Sequence, residues 1–285
     1  MPQTSAIYGF EFTRSFSAAG LHFRPLAPEH SIARKLARNL AEHHATGTVS
    51  GDRLPRETLF DLEGVLSFIE HLDVILSEPE DAGDAATNPH AYFELALTTR
   101  WRNNGGGAII GPDAFSPWRE SRQQFIELAL GKLVDESFCE RTRFRSLFFR
   151  LVETFRQRQP YLEISYFLLI SGLETFARAV QNDYKTKNAA VPITRTLQEY
   201  GFAVYQDRPD ELARSISTYL HIRNALFHQG DFSTTVQMNN ERITLNCSEY
   251  LFNLSMLVSL TIMRATGFDD GHTNWDCWID RQLHK

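Results

Sequence analysis

Residues Pro160 to Val180 read PYLEISYFLLISGLETFARAV, and this stretch decides the architecture. Leu162, Tyr166, Leu169, Leu173, Phe176 and Val180 follow one another in alternating steps of four and three, the spacing of a seam along one helix. Glu163 and Glu174 interrupt the apolar run. A membrane span needs about 18 uninterrupted apolar residues, so a buried core helix starting at Pro160 is predicted instead.

The same pattern extends on both sides. Downstream, Pro209 opens a predicted helix in which Leu212, Ile216, Leu220 and Leu226 bury one side and Gly230 marks the end. Ser248 to Thr266 is predicted as the last long helix, closed by Gly267. Upstream, Arg141 to Arg158 sets Phe144, Leu147, Phe148, Leu151 and Phe155 on one stripe, and Ser116-Pro117 caps a helix running to Val134. Helices of this length on short connectors predict an all-α antiparallel bundle over 116–285.

Residues 1–115 differ. Ile7 to Phe12 and Leu21 to Phe23 read as short strands, while Glu29 to His44 (with Gly47 as its stop) and Thr58 to Leu76 read as helices. Ser77 to Pro89 is acidic and rich in small residues, a loop by composition. Tyr92 to Trp101 is strand-like, and Asn103-Asn104-Gly105-Gly106-Gly107 is a hairpin turn candidate. The class predicted for the whole chain is therefore α+β: a mixed α/β N-terminal domain, to which the pattern assigns no role, then the bundle.

Composition narrows the function classes. With 29 basic and 35 acidic side chains the 285-residue chain carries a net charge of −6, so its surface as a whole does not attract nucleic acid, although a local basic face can. Cys139, Cys247 and Cys277 are odd in number and form no C-x-x-C pair, which excludes a disulfide framework and points to the cytoplasm. Met1-Pro2-Gln3-Thr4-Ser5 lacks the basic start and apolar run of a signal peptide, so no membrane association is expected. H-E-x-x-H, G-x-S-x-G and dinucleotide fingerprints are missing. Gly105 lacks the GK[ST] ending of a phosphate loop, and His43-His44 has no third metal ligand at a suggestive spacing; no metal and no cofactor are expected.

One segment carries chemistry: Tyr219-Leu220-His221-Ile222-Arg223-Asn224-Ala225-Leu226-Phe227-His228-Gln229-Gly230. Arg223 is a permanent planar cation matched to phosphate oxygens, and His228 exchanges protons near neutral pH, a pairing suited to attack on a phosphodiester. The two are five residues apart, about 140° around a helix, and the following Gly230 offers a way to turn the imidazole toward a common cleft.

The Arg223-Asn224-x-x-x-His228 helix follows a long apolar helix that contains Leu173-Glu174-Thr175-Phe176. Together with Arg143-Phe144-Arg145-Ser146-Leu147, Ile170-Ser171-Gly172-Leu173-Glu174 and Leu226-Phe227-His228-Gln229-Gly230, it resembles the HEPN superfamily, and within it the Apea-like branch, over roughly Phe138 to Gly267. The resemblance implies a compact helical bundle that dimerises. It also implies a metal-independent endoribonuclease whose Arg-x(4–6)-His signatures meet at the dimer interface. The family is frequent in toxin–antitoxin and phage-defence systems. RNA, a second copy of the chain, and an antitoxin or defence-system protein are thus the expected partners. The alternative is a non-catalytic HEPN scaffold for dimerisation or ligand binding within a larger assembly.

Under the catalytic reading, His228 is general base or acid, Arg223 stabilises charge on the phosphorane and Asn224 positions the phosphate. Glu174, at the edge of the seam, is an accessory residue that pairs with Arg223 or holds the histidine. Tyr219, one turn before Arg223, lines the cleft or packs. His221, two residues before Arg223, is expected to point away from it. Arg141, Arg143, Arg145 and Arg150, on one Arg-rich helix and its start, form the candidate RNA surface. Arg38-Asn39-Leu40-Ala41-Glu42-His43 repeats the motif spacing, and is read as a surface coincidence on a short polar helix.

Overall fold

The computed structural model describes residues 2–81, 84–85, 87–98, 102, 106–157, 161–238, 241–282 and 284. It is α+β, as expected, and divides into two compact units. One gathers residues 1–134 and 155–159, the other 135–154 and 160–285, so the division falls at Val134 rather than after residue 115.

The first unit holds β1 (Gln3–Tyr8), β2 (Phe16–Ala18), β3 (Leu21–Pro25), α1 (His30–Ala37), β4 (Glu42–Gly51), α2 (Arg56–Glu70), β5 (Ile75–Leu76), β6 (Ala96–Thr98) and α3 (Ser121–Val134). Its antiparallel sheet runs β2-β3-β4-β1-β5, with β6 paired to the start of β4. The helix expected over Glu29 to His44 ends at Ala37, because Glu42 onward enters the sheet as its central strand. Gly47, read as a helix stop, lies inside that strand. The Phe12 ring occupies the space where its β-carbon would sit, so only glycine fits.

Strand β1 ends at Tyr8, earlier than expected, and Gly9 (φ 87°) turns the chain so that Phe10 and Phe12 enter the core. Helix α2 stops at Glu70 because His71 takes a left-handed conformation (φ 55°), and Ile75–Leu76 pair with β1. Among the described residues of the strand expected over Tyr92 to Trp101, only Ala96–Thr98 is strand; residues 99–101, and 103–105 of the expected turn at 103–107, lie outside the described residues. Ser116–Trp118 forms a 3₁₀ turn before α3, which packs its Phe125 ring on Phe68 of α2 at 4.9 Å.

A buried ion network organises this unit. Glu70, fully buried, accepts from the Glu11 amide (2.9 Å), from Arg38 Nη2 (3.0 Å) and from Arg122 Nη1. Arg122 also donates to the carbonyls of Glu11, Ile110 and Gly111. A charge this deep is tolerated only with its partners in place.

The second unit holds α4 (Glu136–Thr142), α5 (Phe144–Arg156, whose last residues belong to the first unit), α6 (Leu162–Gln181), α7 (Ala190–Glu199), α8 (Ile216–Gln229), β7 (Ser233–Met238), β8 (Glu241–Asn246), α9 (Cys247–Thr266) and α10 (Cys277–Asp280). The seam predicted for α6 buries Tyr166, Leu169, Leu173 and Phe176 against its neighbours. Leu254, Leu257, Val258, Leu260 and Ile262 are all buried along α9. Phe144, Leu147, Phe148, Leu151 and Phe155 are buried as their stripe required.

Three local features differ from expectation. The Arg-rich stretch is two helices, broken where Arg143 adopts φ 60° as the left-handed cap of α4. Helix α8 starts at Ile216 rather than Pro209, since Tyr205 bridges Ser215 and the chain between them is helical only as a 3₁₀ turn at Leu212–Arg214. The unit is also not all-α: β7 and β8 form a hairpin, Ser233 opposite Asn246. Among the described residues, no helix is long and apolar enough to cross a membrane, and no cluster of metal-binding side chains occurs.

Candidate functional site

Glu174 and Arg223 lie 49 residues apart and meet in the second unit. Arg223 Nη1 donates to Glu174 Oε2 at 2.7 Å, while Glu174 Oε1 takes Arg178 Nε at 2.9 Å, one turn along α6. One carboxylate thus sits between two guanidiniums, and the trio keeps a net positive charge. Arg178 is anchored further by the carbonyls of Asp183 and Thr186. On its other side, Arg223 Nε donates to Asn224 Oδ1 at 3.1 Å. Arg223, 25% exposed, is therefore clamped by two partners and still reaches the surface.

That surface is a cleft of about 360 Å³, whose polar lining is Lys187, Asn188, Ser217, His221, Arg223 and Asn224. Ser217, His221 and Asn224 share one stripe of α8 by helical spacing, while Lys187 and Asn188 come from the chain entering α7. Among the described residues, no carboxylate lines it. His221, expected to point away, lies in the same cleft as Arg223. The signal in the sequence is that 217, 221 and 224 fall at steps of four and three along one helical face.

His228 is exposed in the last turn of α8, before the left-handed cap at Gly230 (φ 74°). The helix continues through it, so the imidazole stays on the α8 stripe, four residues beyond Asn224. It does not line the Arg223 cleft. Next to it in sequence, Phe227 packs its ring on Phe167 of α6 at 4.9 Å, and both rings are exposed at 40% and 46%, as is Ile164 at 43%. Tyr219 packs instead of lining the cleft: its hydroxyl donates to the Ala213 carbonyl at 2.6 Å, and burial drives the phenol well above its ordinary range.

The candidate RNA-binding arginines do not form one row. Arg141 lies over the Phe138 ring and Arg145 over Phe149 at 5.0 Å, while Arg150 donates to Ser171 Oγ at 2.9 Å. Arg143 is exposed at the break between α4 and α5. Arg156 serves the first unit, pairing with Asp73 at 3.4 Å.

The duplicate motif is not a surface pair. Arg38 caps α1 and joins the Glu70 network, whereas His43 lies in β4, buried, with Nε2 3.5 Å from Asp73. A second cleft, about 180 Å³, mixes Arg14, Arg119 and Arg122 with Asp113 and Glu120, so charges of both signs line it. Comparison with protein families, with curated proteins and with solved structures finds no match to this chain.

Proposed function

We propose that the chain is a metal-independent endoribonuclease of HEPN type, working as a homodimer. The observation that carries this reading is the clamped guanidinium of Arg223, held by Glu174 and Asn224 at the wall of a carboxylate-free cleft. His228 Nε2 or Nδ1 takes the proton of a ribose 2′-hydroxyl, the 2′-oxygen attacks the adjacent phosphorus, and the P–O5′ bond breaks as the 5′-oxygen takes that proton back from the imidazolium. Arg223 stabilises the charge on the phosphorane, and Asn224 orients it. The products are a 2′,3′-cyclic phosphate and a 5′-hydroxyl.

Because His228 lies outside the Arg223 cleft of its own chain, the arrangement that unites them is two chains meeting along α6 and α8. The exposed Ile164, Phe167 and Phe227 supply an apolar face beside His228 for that contact. The same separation favours a second reading, a ligand-binding scaffold in which Arg223 holds an anion without turnover. Expression as part of a toxin or phage-defence system, with a neutralising partner, belongs to the first reading.

End-labelled RNA incubated with purified protein in EDTA separates the two. The nuclease reading predicts cleavage, with Arg223→Ala and His228→Ala each slower by about 100-fold or more. Intact RNA with folded, dimeric protein, or undiminished cleavage by His228→Ala, overturns it.

A further inference from the structure

We infer that the cleft between α8 and the start of α7 is a phosphate subsite, in which Lys187, Asn188 and His221 hold a phosphate of the RNA chain beside Arg223 and Asn224. The inference takes its ligand, RNA, from the function proposed above; its preference for an anion stands on the cleft alone.

The argument is an account of donors and acceptors. Asn188 Oδ1 already accepts the Ala190 amide at 3.0 Å, and Asn224 Oδ1 accepts Arg223 Nε at 3.1 Å. Both contacts come from N–H groups, so they fix which end of each amide is oxygen. What each asparagine presents elsewhere is its Nδ2, a donor. Arg223 spends Nε and Nη1 on Asn224 and Glu174, which leaves its Nη2 donors. Lys187 is exposed and adds an ammonium. Ser217 is the exception: its hydroxyl donates to the Gln206 carbonyl at 2.6 Å, so only its lone pairs remain.

A wall of amide, ammonium and guanidinium donors with no carboxylate repels cations and leaves neutral acceptors poorly matched, whereas a phosphate offers several charged acceptor oxygens at once. The asparagines matter most, since their oxygens are occupied by the fold and their donors are left for a ligand. The backbone adds to this, because α7 opens at the cleft with no acidic residue in its first turn. A volume of about 360 Å³ is at the low end of small-molecule sites and takes one nucleotide unit.

Asn188→Asp tests the subsite without breaking the fold. The aspartate still accepts the Ala190 amide and replaces the donor with a negative charge. Titrating the full chain with adenosine 3′-monophosphate, inorganic phosphate and adenosine, followed by amide chemical shifts, is expected to show binding of both phosphates with shifts at 187–190 and 221–224. Uncharged adenosine is expected to bind at least 10-fold more weakly than its monophosphate. Asn188→Asp and Lys187→Ala are each expected to weaken both phosphates by 10-fold or more.

Phosphate binding that Asn188→Asp does not alter, or adenosine bound as well as its monophosphate, overturns the subsite. If RNA stays intact yet the phosphates bind and Asn188→Asp abolishes it, the nuclease falls and the subsite stands. If RNA is cut while Asn188→Asp changes neither phosphate binding nor KM, the subsite falls and the nuclease stands.

Discussion

Glu174 is the residue on which the site geometry turns. It faces Arg178 and Arg223 together, with the three side chains between 17% and 25% exposed. Glu174→Ala leaves two guanidiniums without their shared counter-charge, and is expected to lower unfolding stability by about 1–2 kcal/mol in urea titration. That is below the ~3–5 kcal/mol of a fully buried pair, because solvent screens this one. Wild-type stability in Glu174→Ala would show that the clamp contributes nothing. The sequence offered Glu174 as a partner for Arg223 because it sits beside the apolar seam, and the two do meet. It did not place His221 in the cleft, since proximity in sequence to Arg223 outweighed the i, i+3, i+4 spacing to Ser217 and Asn224.

Among the elements, α2 shows how a cap sets a pH response. Its left-handed cap, His71, is enclosed, and burial first, then the nearby Arg38 charge, push its imidazole down to about 4; a hydrogen bond to the Gly107 backbone opposes them. The unfolded chain binds a proton at this ring near its ordinary value of 6.5, and the folded chain does not. The stability it contributes is thus complete above about pH 6.5 and is lost as pH falls toward 4, on the order of 3 kcal/mol in all. Glu11, whose carboxyl is raised mainly by burial, acts in the opposite sense, so the difference between two proteins is the clean readout. His71→Asn, which suits the left-handed turn, is expected to flatten the loss between pH 6.5 and 4; an unchanged slope would mean that another group titrates there.

Elements were legible where periodicity was sustained, as in α6, α9 and the apolar stripe of α5. They were lost where the chain changes period within a few residues. After Ala37 a helical spacing gives way to β4, and Gly47, a helix stop by rule, is in the strand because Phe12 covers it. The β7–β8 hairpin went unread although Thr234, Val236, Ile243 and Leu245 alternate, because the surrounding helices set the expectation.

For the whole molecule, two units share one chain in an order that sequence did not suggest. Phe155 and Arg156 close α5 yet belong with residues 1–134, where the Phe155 ring meets His71 at 4.9 Å and Arg156 pairs with Asp73. Arg156→Ala is therefore expected to speed hydrogen exchange in α2 and residues 71–76 while α6 to α9 keep their protection; faster exchange confined to α6–α9 would contradict that assignment.

The central claim is that the guanidinium and the imidazole act together from different chains. Mixing Arg223→Ala with His228→Ala protein, under conditions where subunits exchange, tests it most directly. Each homodimer should be inactive, and the mixture should regain cleavage, because the mixed dimer pairs an intact Arg223 with an intact His228 across the interface. A mixture that exchanges subunits and still leaves RNA whole, beside active wild type, would contradict the claim.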